Sequence, residues 1–80
     1  MNEIKEKIKK IMQRILQNSD VDIAYNTNLF KLGLNSLGKI RALVEIEKMC
    51  HIEISDNDIY DDNNFTSIDN IASFVEKYLR

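Results

Sequence analysis

Leu32-Gly33-Leu34-Asn35-Ser36-Leu37 is the stretch on which the fold of this chain turns, because there a loop becomes a helix. Glycine at 33 permits a tight or left-handed turn, Asn35 can hydrogen-bond nearby backbone, and an apolar helical pattern begins at Leu37. Ser36 sits on the boundary, where a hydroxyl can serve as a helix cap, a nucleophile or an attachment point. Downstream, Leu37, Ile40, Leu43, Val44, Ile46, Met49 and Cys50 predict a helix from Ser36 to His51. Its apolar surface is wider than one packing stripe requires. Two readings stay open: a helix buried on two sides, or a face around Leu37, Ile40 and Val44 left near the surface for a partner.

Upstream, Ile4, Ile8, Ile11, Met12, Ile15 and Leu16 recur at helical spacing and predict an amphipathic first helix over residues 3–17. Asn18-Ser19-Asp20, a run of turn formers, is expected to end it. Residues 18–35 lack a clear period yet contain Val21, Ile23, Tyr25, Leu29, Phe30, Leu32 and Leu34. A loop that apolar must pack on the domain, and so it delivers Ser36 to a defined place. Beyond the second helix, Ile52-Glu53-Ile54-Ser55 alternates like a strand but has no strand to pair with. It reads as an extended connector with Ile52 and Ile54 turned inward. A short helix is expected over Asp56 to Asp62, with Ser55 as N-cap and Asp58 as its acidic partner. Asp61 to Asn64 then breaks the chain. The last helix is expected to start at Thr66 as N-cap with Asp69 completing a capping box, burying Ile68, Ile71, Ala72, Val75, Tyr78 and Leu79. The sum is a small all-α four-helix bundle, three main helices and a short one.

Eighty residues make one expected domain, 1–80. With 44% apolar and 30% charged residues, no proline and two glycines, the composition is that of a helical globular domain. Apolar runs are too short for a membrane span or a signal peptide, so a cytoplasmic location is the expectation. A single cysteine, Cys50, excludes an internal disulfide and any cysteine-pair zinc site. The net charge of −2 gives no overall attraction to nucleic acid. Five basic and two acidic side chains lie between Glu3 and Arg14, and five acidic ones with no Lys or Arg between Glu53 and Asp62, which read as solvated faces of opposite sign.

Catalysis by Ser36 needs a base within hydrogen-bond reach. The one histidine, His51, ends the helix that Ser36 begins. At ~1.5 Å rise per residue the two lie roughly 22 Å apart, so they form no dyad and the hydrolase reading fails. His51 reads as a charge matched to the helix dipole or as a packed side chain. The acidic segment from Asp56 fails as a calcium loop, because its sixth position is Asp61 and its twelfth Ser67 where glycine and glutamate are needed. Cap and attachment point remain open for Ser36.

The same six residues, preceded by Asn28-Leu29-Phe30 and followed by an apolar helix, Ile52-Glu53-Ile54 and Asn64-Phe65-Thr66, resemble the phosphopantetheine-binding carrier proteins: acyl carrier proteins and the peptidyl and aryl carriers of polyketide and nonribosomal peptide assembly. The resemblance covers essentially the whole chain. It implies a carrier and not an enzyme, with Ser36 bearing 4′-phosphopantetheine transferred from coenzyme A by a magnesium-dependent phosphopantetheinyl transferase. Implied further partners are an acyl- or aminoacyl-loading ligase or adenylating enzyme and a downstream synthase or transferase. A phosphodiester at a helix start meets unpaired N–H groups and the positive end of the dipole. Cys50, within the apolar pattern, is expected to be a buried packing residue and not the carrier thiol.

Two features set this chain apart from the family pattern. Asn35 stands where aspartate is most frequent, keeping cap ability and losing the carboxylate associated with magnesium at the transferase interface. The second helix, acidic in fatty-acid carriers, here has Lys39, Arg41 and Lys48 against Glu45 and Glu47. Charge complementarity selects partners, so the expectation is a stand-alone, monomeric carrier of a specialised polyketide, nonribosomal peptide or related pathway in preference to the housekeeping fatty-acid carrier. Asn35, Leu37, Lys39, Ile40, Arg41 and Val44 are the expected partner-facing residues, with Lys39 flanking the phosphate. No metal site, membrane or nucleic acid is expected. The competing classes are a non-covalent helical adaptor, in which Ser36 is only a cap, and a helix-turn-helix nucleic-acid binder, against which the overall acidity weighs.

Overall fold

The apolar spacing along the chain is realised as helices in a computed structural model, which describes residues 2–17 and 22–79. All four α-helices expected from the sequence form: α1 (Asn2–Ile15), α2 (Ser36–Cys50), the short α3 (Asp56–Tyr60) and α4 (Ile68–Leu79). Two 3-10 turns, Phe30–Leu32 and Asp62–Phe65, stand where a loop and a chain break are expected. Helix α1 is followed by Gln17 in the left-handed region at φ 55°. The turn expected at Asn18-Ser19-Asp20, and Val21 after it, lie outside the described residues. None of the described helices is long and apolar enough to cross a membrane.

Helix α1 packs on α4 and α2, and α4 also covers the second 3-10 turn. Ile8 and Met12 of α1, Ile46 of α2, and Ile68, Ile71 and Val75 of α4 are fully buried with Phe65. Phe65 meets Phe74 with ring centroids 5.3 Å apart in a tilted pair, the arrangement aromatic quadrupoles favour. Phe74, absent from the expected stripe of α4, is buried, whereas Leu79 is 45% exposed because the helix runs past the core there. Ile54 is buried and Ile52 packs against the core from a half-buried position, as their alternation suggests.

The polar face of α1 ties the bundle to its connections. Lys5 pairs with Asp69 at 2.9 Å, Lys9 pairs with Asp22, and the Tyr25 hydroxyl donates to Glu6. Asp69 also donates its backbone N–H to the Tyr25 carbonyl at 2.9 Å, which fastens the long loop to the start of α4.

The start of α4 corrects the sequence reading by one residue. Thr66 closes the 3-10 turn, its hydroxyl donating to the Asp62 carbonyl, so the helix cannot begin there. Ser67 takes the cap instead, its hydroxyl oxygen accepting from the Asn70 N–H at 3.1 Å. Asp69 falls one place short of the capping-box position. Short α3 is capped as expected, with Ser55 Oγ accepting weakly from the Asp58 N–H at 3.5 Å. The Tyr78 hydroxyl joins that corner, donating to Asp58 and accepting from the Ser55 N–H at 2.9 Å.

Candidate functional site

The long loop is held along its length before it reaches Ser36. Leu29 is fully buried and its N–H donates to the carbonyl of Thr66, just before α4, at 2.7 Å. Asn28 Oδ1 accepts from the Phe30 N–H at 2.9 Å, starting the 3-10 turn that Gly33 ends. Gly33 has φ 106°, the left-handed conformation its lack of a side chain permits. Leu34 then returns to the core, and its N–H donates to the Leu29 carbonyl at 3.1 Å. These contacts fix the backbone up to Asn35.

Asn35, not Ser36, caps α2. Its backbone is extended, and its Oδ1 accepts from the Gly38 N–H at 2.8 Å while its carbonyl accepts from the Lys39 N–H at 2.8 Å. Ser36 becomes the first helical residue, exposed to solvent. Its hydroxyl hydrogen-bonds to no group among the described residues, and neither do the backbone N–H groups of Ser36 and Leu37. A free hydroxyl beside two free amides at the positive end of a fifteen-residue helix suits a phosphodiester.

Gly38, two residues on, is buried against α1. A side chain there has its nearest neighbours at Leu34 Cδ1, 3.1 Å, and Ile15 Cγ2, 3.2 Å, tighter than ordinary contact. Its small size lets α2 start close to the end of α1.

Helix α2 carries two stripes on opposite sides. Lys39, Ala42, Leu43 and Ile46 face inward at spacings of three and four residues. Leu37, Ile40 and Val44 face outward, 62%, 45% and 41% exposed, with Arg41 exposed among them. The open choice between a doubly buried helix and a free face resolves to a free face. Ser36, four residues before Ile40, belongs to that outward side.

Lys39 is a correction. The sequence reading sets it on the partner-facing surface flanking the phosphate, but its side chain runs inward, its Nζ 2.8 Å from Asp62 Oδ1 and 4.9 Å from the centroid of the Phe65 ring. A long aliphatic stem can lie in a core while its ammonium meets a carboxylate at the rim. The spacing that puts Lys39 in register with Ala42, Leu43 and Ile46 was the signal in the sequence.

The acidic residues of α2 are also engaged. Glu45 accepts from Arg14 of α1 at 2.8 Å, and Glu47 accepts from the Ile54 N–H at 2.8 Å. Arg41 and Lys48 pair with no carboxylate among the described residues. The face beside Ser36 therefore presents apolar groups and unpaired positive charge.

At the far end of α2, His51 is the exposed C-cap in the left-handed region at φ 56°, its N–H donating to the Glu47 carbonyl. The whole length of α2 separates it from Ser36. Cys50 is half-buried, and desolvation pushes its thiol above the usual range against a smaller opposing effect of Lys7.

With this geometry in view, comparisons with known proteins bear directly on it. A family model described as a phosphopantetheine attachment site matches residues 6–75. An acyl carrier protein of Phytoplasma australiense is 32% identical over 75 residues, covering 92% of this chain and 95% of that protein. No solved structure matches.

Proposed function

As this chain belongs to the phosphopantetheine-binding carrier family, whose members carry and do not catalyse, we propose that Ser36 is the residue bearing the covalent 4′-phosphopantetheine of an acyl carrier protein. The observation that carries the reading is the division of labour at the start of α2: Asn35 supplies the cap, so the Ser36 hydroxyl is exposed and uncommitted. The amides of Ser36 and Leu37 are available to phosphate oxygens, and the exposed Leu37, Ile40, Arg41 and Val44 form the surface that enzymes meet. When attached, the arm supplies a terminal thiol on which an acyl group is held as a thioester. One small protein can then present the same intermediate to successive enzymes at high local concentration.

The chain serves a specialised pathway and not the main fatty-acid cycle. Supporting this is the charge that α2 leaves exposed: Glu45 and Glu47 are used within the protein, while Arg41 and Lys48 are not. Enzymes whose docking sites are basic, built for an acidic helix, are repelled by that face. The partners are a phosphopantetheinyl transferase, a loading ligase or adenylating enzyme, and a synthase or transferase downstream.

Intact mass after incubation with coenzyme A, magnesium and a broad-specificity phosphopantetheinyl transferase tests the site. The wild-type chain is expected to gain one phosphopantetheine and Ser36→Ala none. An unchanged wild-type mass, or an adduct retained by Ser36→Ala, refutes the assignment.

A further inference from the structure

Beside the exposed face of α2 lies a groove of about 450 Å³ between that helix and α1. Ile11 and Ile15 of α1 line it with Ile40 and Val44 of α2, and its charged lining residues are Arg14, Arg41 and Glu45. Groove and face are continuous, because Ile40, Arg41 and Val44 belong to both. Arg14 spends part of its guanidinium on Glu45, at 2.8 Å, which keeps that carboxylate from answering Arg41. A guanidinium has five donors, so Arg14 retains several after this pairing, and Arg41 retains all of its own.

We propose that this groove is the docking socket for a partner enzyme's helix that inserts an apolar side chain between α1 and α2 and sets carboxylates against Arg41 and Arg14. The proposal rests on reading the α2 face as the docking surface and adds to it the partner's chemistry and the participation of α1. Charge decides the occupant: Glu45 is taken up by Arg14, so the apolar groove keeps one positive charge without a carboxylate, that of Arg41, which repels a basic helix and receives an acidic one. Arginine also suits the role geometrically, since its planar fork engages a carboxylate through two parallel hydrogen bonds.

The test uses the full unmodified chain with isotope-labelled isoleucine and valine methyl groups. The probes are two synthetic amphipathic helical peptides with the same leucine stripe, one flanked by glutamates and its twin by lysines. The glutamate peptide is expected to shift the methyl resonances of Ile15, Ile40 and Val44 and to bind about tenfold more tightly than its twin, with the preference weakening as salt screens it. Arg41→Glu, an exposed substitution whose folding is checked by circular dichroism, is expected to reverse the preference. Equal affinities, an unchanged preference in Arg41→Glu, shifts that map away from the groove, or no shifts with either peptide would overturn the proposal. So would the same methyl shifts appearing in the acylated chain without peptide, which would make the groove a cargo site. The coenzyme A mass assay on the same samples separates the two readings: an arm gained without peptide binding refutes the socket alone, and no arm gained refutes the Ser36 assignment.

Discussion

Asn35 is the residue that leaves the Ser36 hydroxyl free. Both asparagine and serine are good N-caps, and two of them in succession leave the choice to the backbone. The anchoring of Leu34 brings Asn35 into the extended conformation a cap requires and puts Ser36 inside the first turn. Asn35→Ala is expected to lower stability by about 1 kcal/mol, by analogy with other lost caps. Asn35→Asp keeps the acceptor and adds a negative charge at the positive end of α2, so it is expected to match or exceed the wild type by ~0.3–1 kcal/mol at low salt. Chemical denaturation of the three proteins measures this ordering. An Asn35→Ala chain as stable as the wild type would show that another group takes over the cap. Thr66 and Ser67 pose the same choice between adjacent caps, and there the sequence reading chose the wrong member because it did not anticipate the 3-10 turn that claims Thr66.

Helix α2 shows how charge on an element differs from charge in its sequence. Three cations and two carboxylates count as a net charge of +1. Packing withdraws Lys39, Glu45 and Glu47 into contacts within the protein and leaves Arg41 and Lys48 outside. The Lys39 contact makes an asymmetric prediction. Asp62→Asn leaves an ammonium in a nearly buried position without its carboxylate and is expected to cost about 1 kcal/mol, a charged hydrogen bond discounted because Asp62 is itself largely solvent-exposed. Lys39→Met removes the charge and keeps the stem over Phe65, and is expected to fall within about 0.5 kcal/mol of the wild type. Equal losses in the two variants, read from thermal or denaturant unfolding, would mean that the ion pair and not the packed stem is what the bundle uses.

Across the whole molecule, Tyr25 links α1, the long loop and α4. Its hydroxyl donates to the Glu6 carboxylate, its carbonyl accepts from Asp69, and Lys5 lies 5.6 Å from its ring centroid. The hydrogen bond to Glu6, followed by burial, raises the phenol above its ordinary range. A raised acid keeps its proton in the folded state, so its contribution is complete below about pH 10 and is lost as pH rises through the folded value. In absorbance titration of the wild type beside Tyr25→Phe, the phenol lost in the variant is expected to be one that ionises above the ordinary tyrosine range. Tyr25→Phe should also flatten the fall of the melting temperature at alkaline pH. A lost phenol that titrates within the ordinary range would contradict the linkage.

The four helices, the inward-facing loop and the place of Ser36 at a loop-to-helix boundary were legible because they depend on periodicity, turn residues and caps, which act over a few neighbouring positions. The wide apolar pattern of α2 left open whether Leu37, Ile40 and Val44 are buried on a second side or lie at the surface, and only the packing of the bundle exposes them. Lys39 was misread although its spacing matched the buried stripe, because a charge weighs toward solvent until a carboxylate is known to meet it. Asp62 is twenty-three residues away from Lys39, and Glu45 thirty-one from Arg14. The sequence by itself determined the helices and the position of the candidate attachment serine. Which cap is used, which charges remain free and which groove lies between α1 and α2 were decided only by tertiary structure, since each requires a group brought near by the packing of another element.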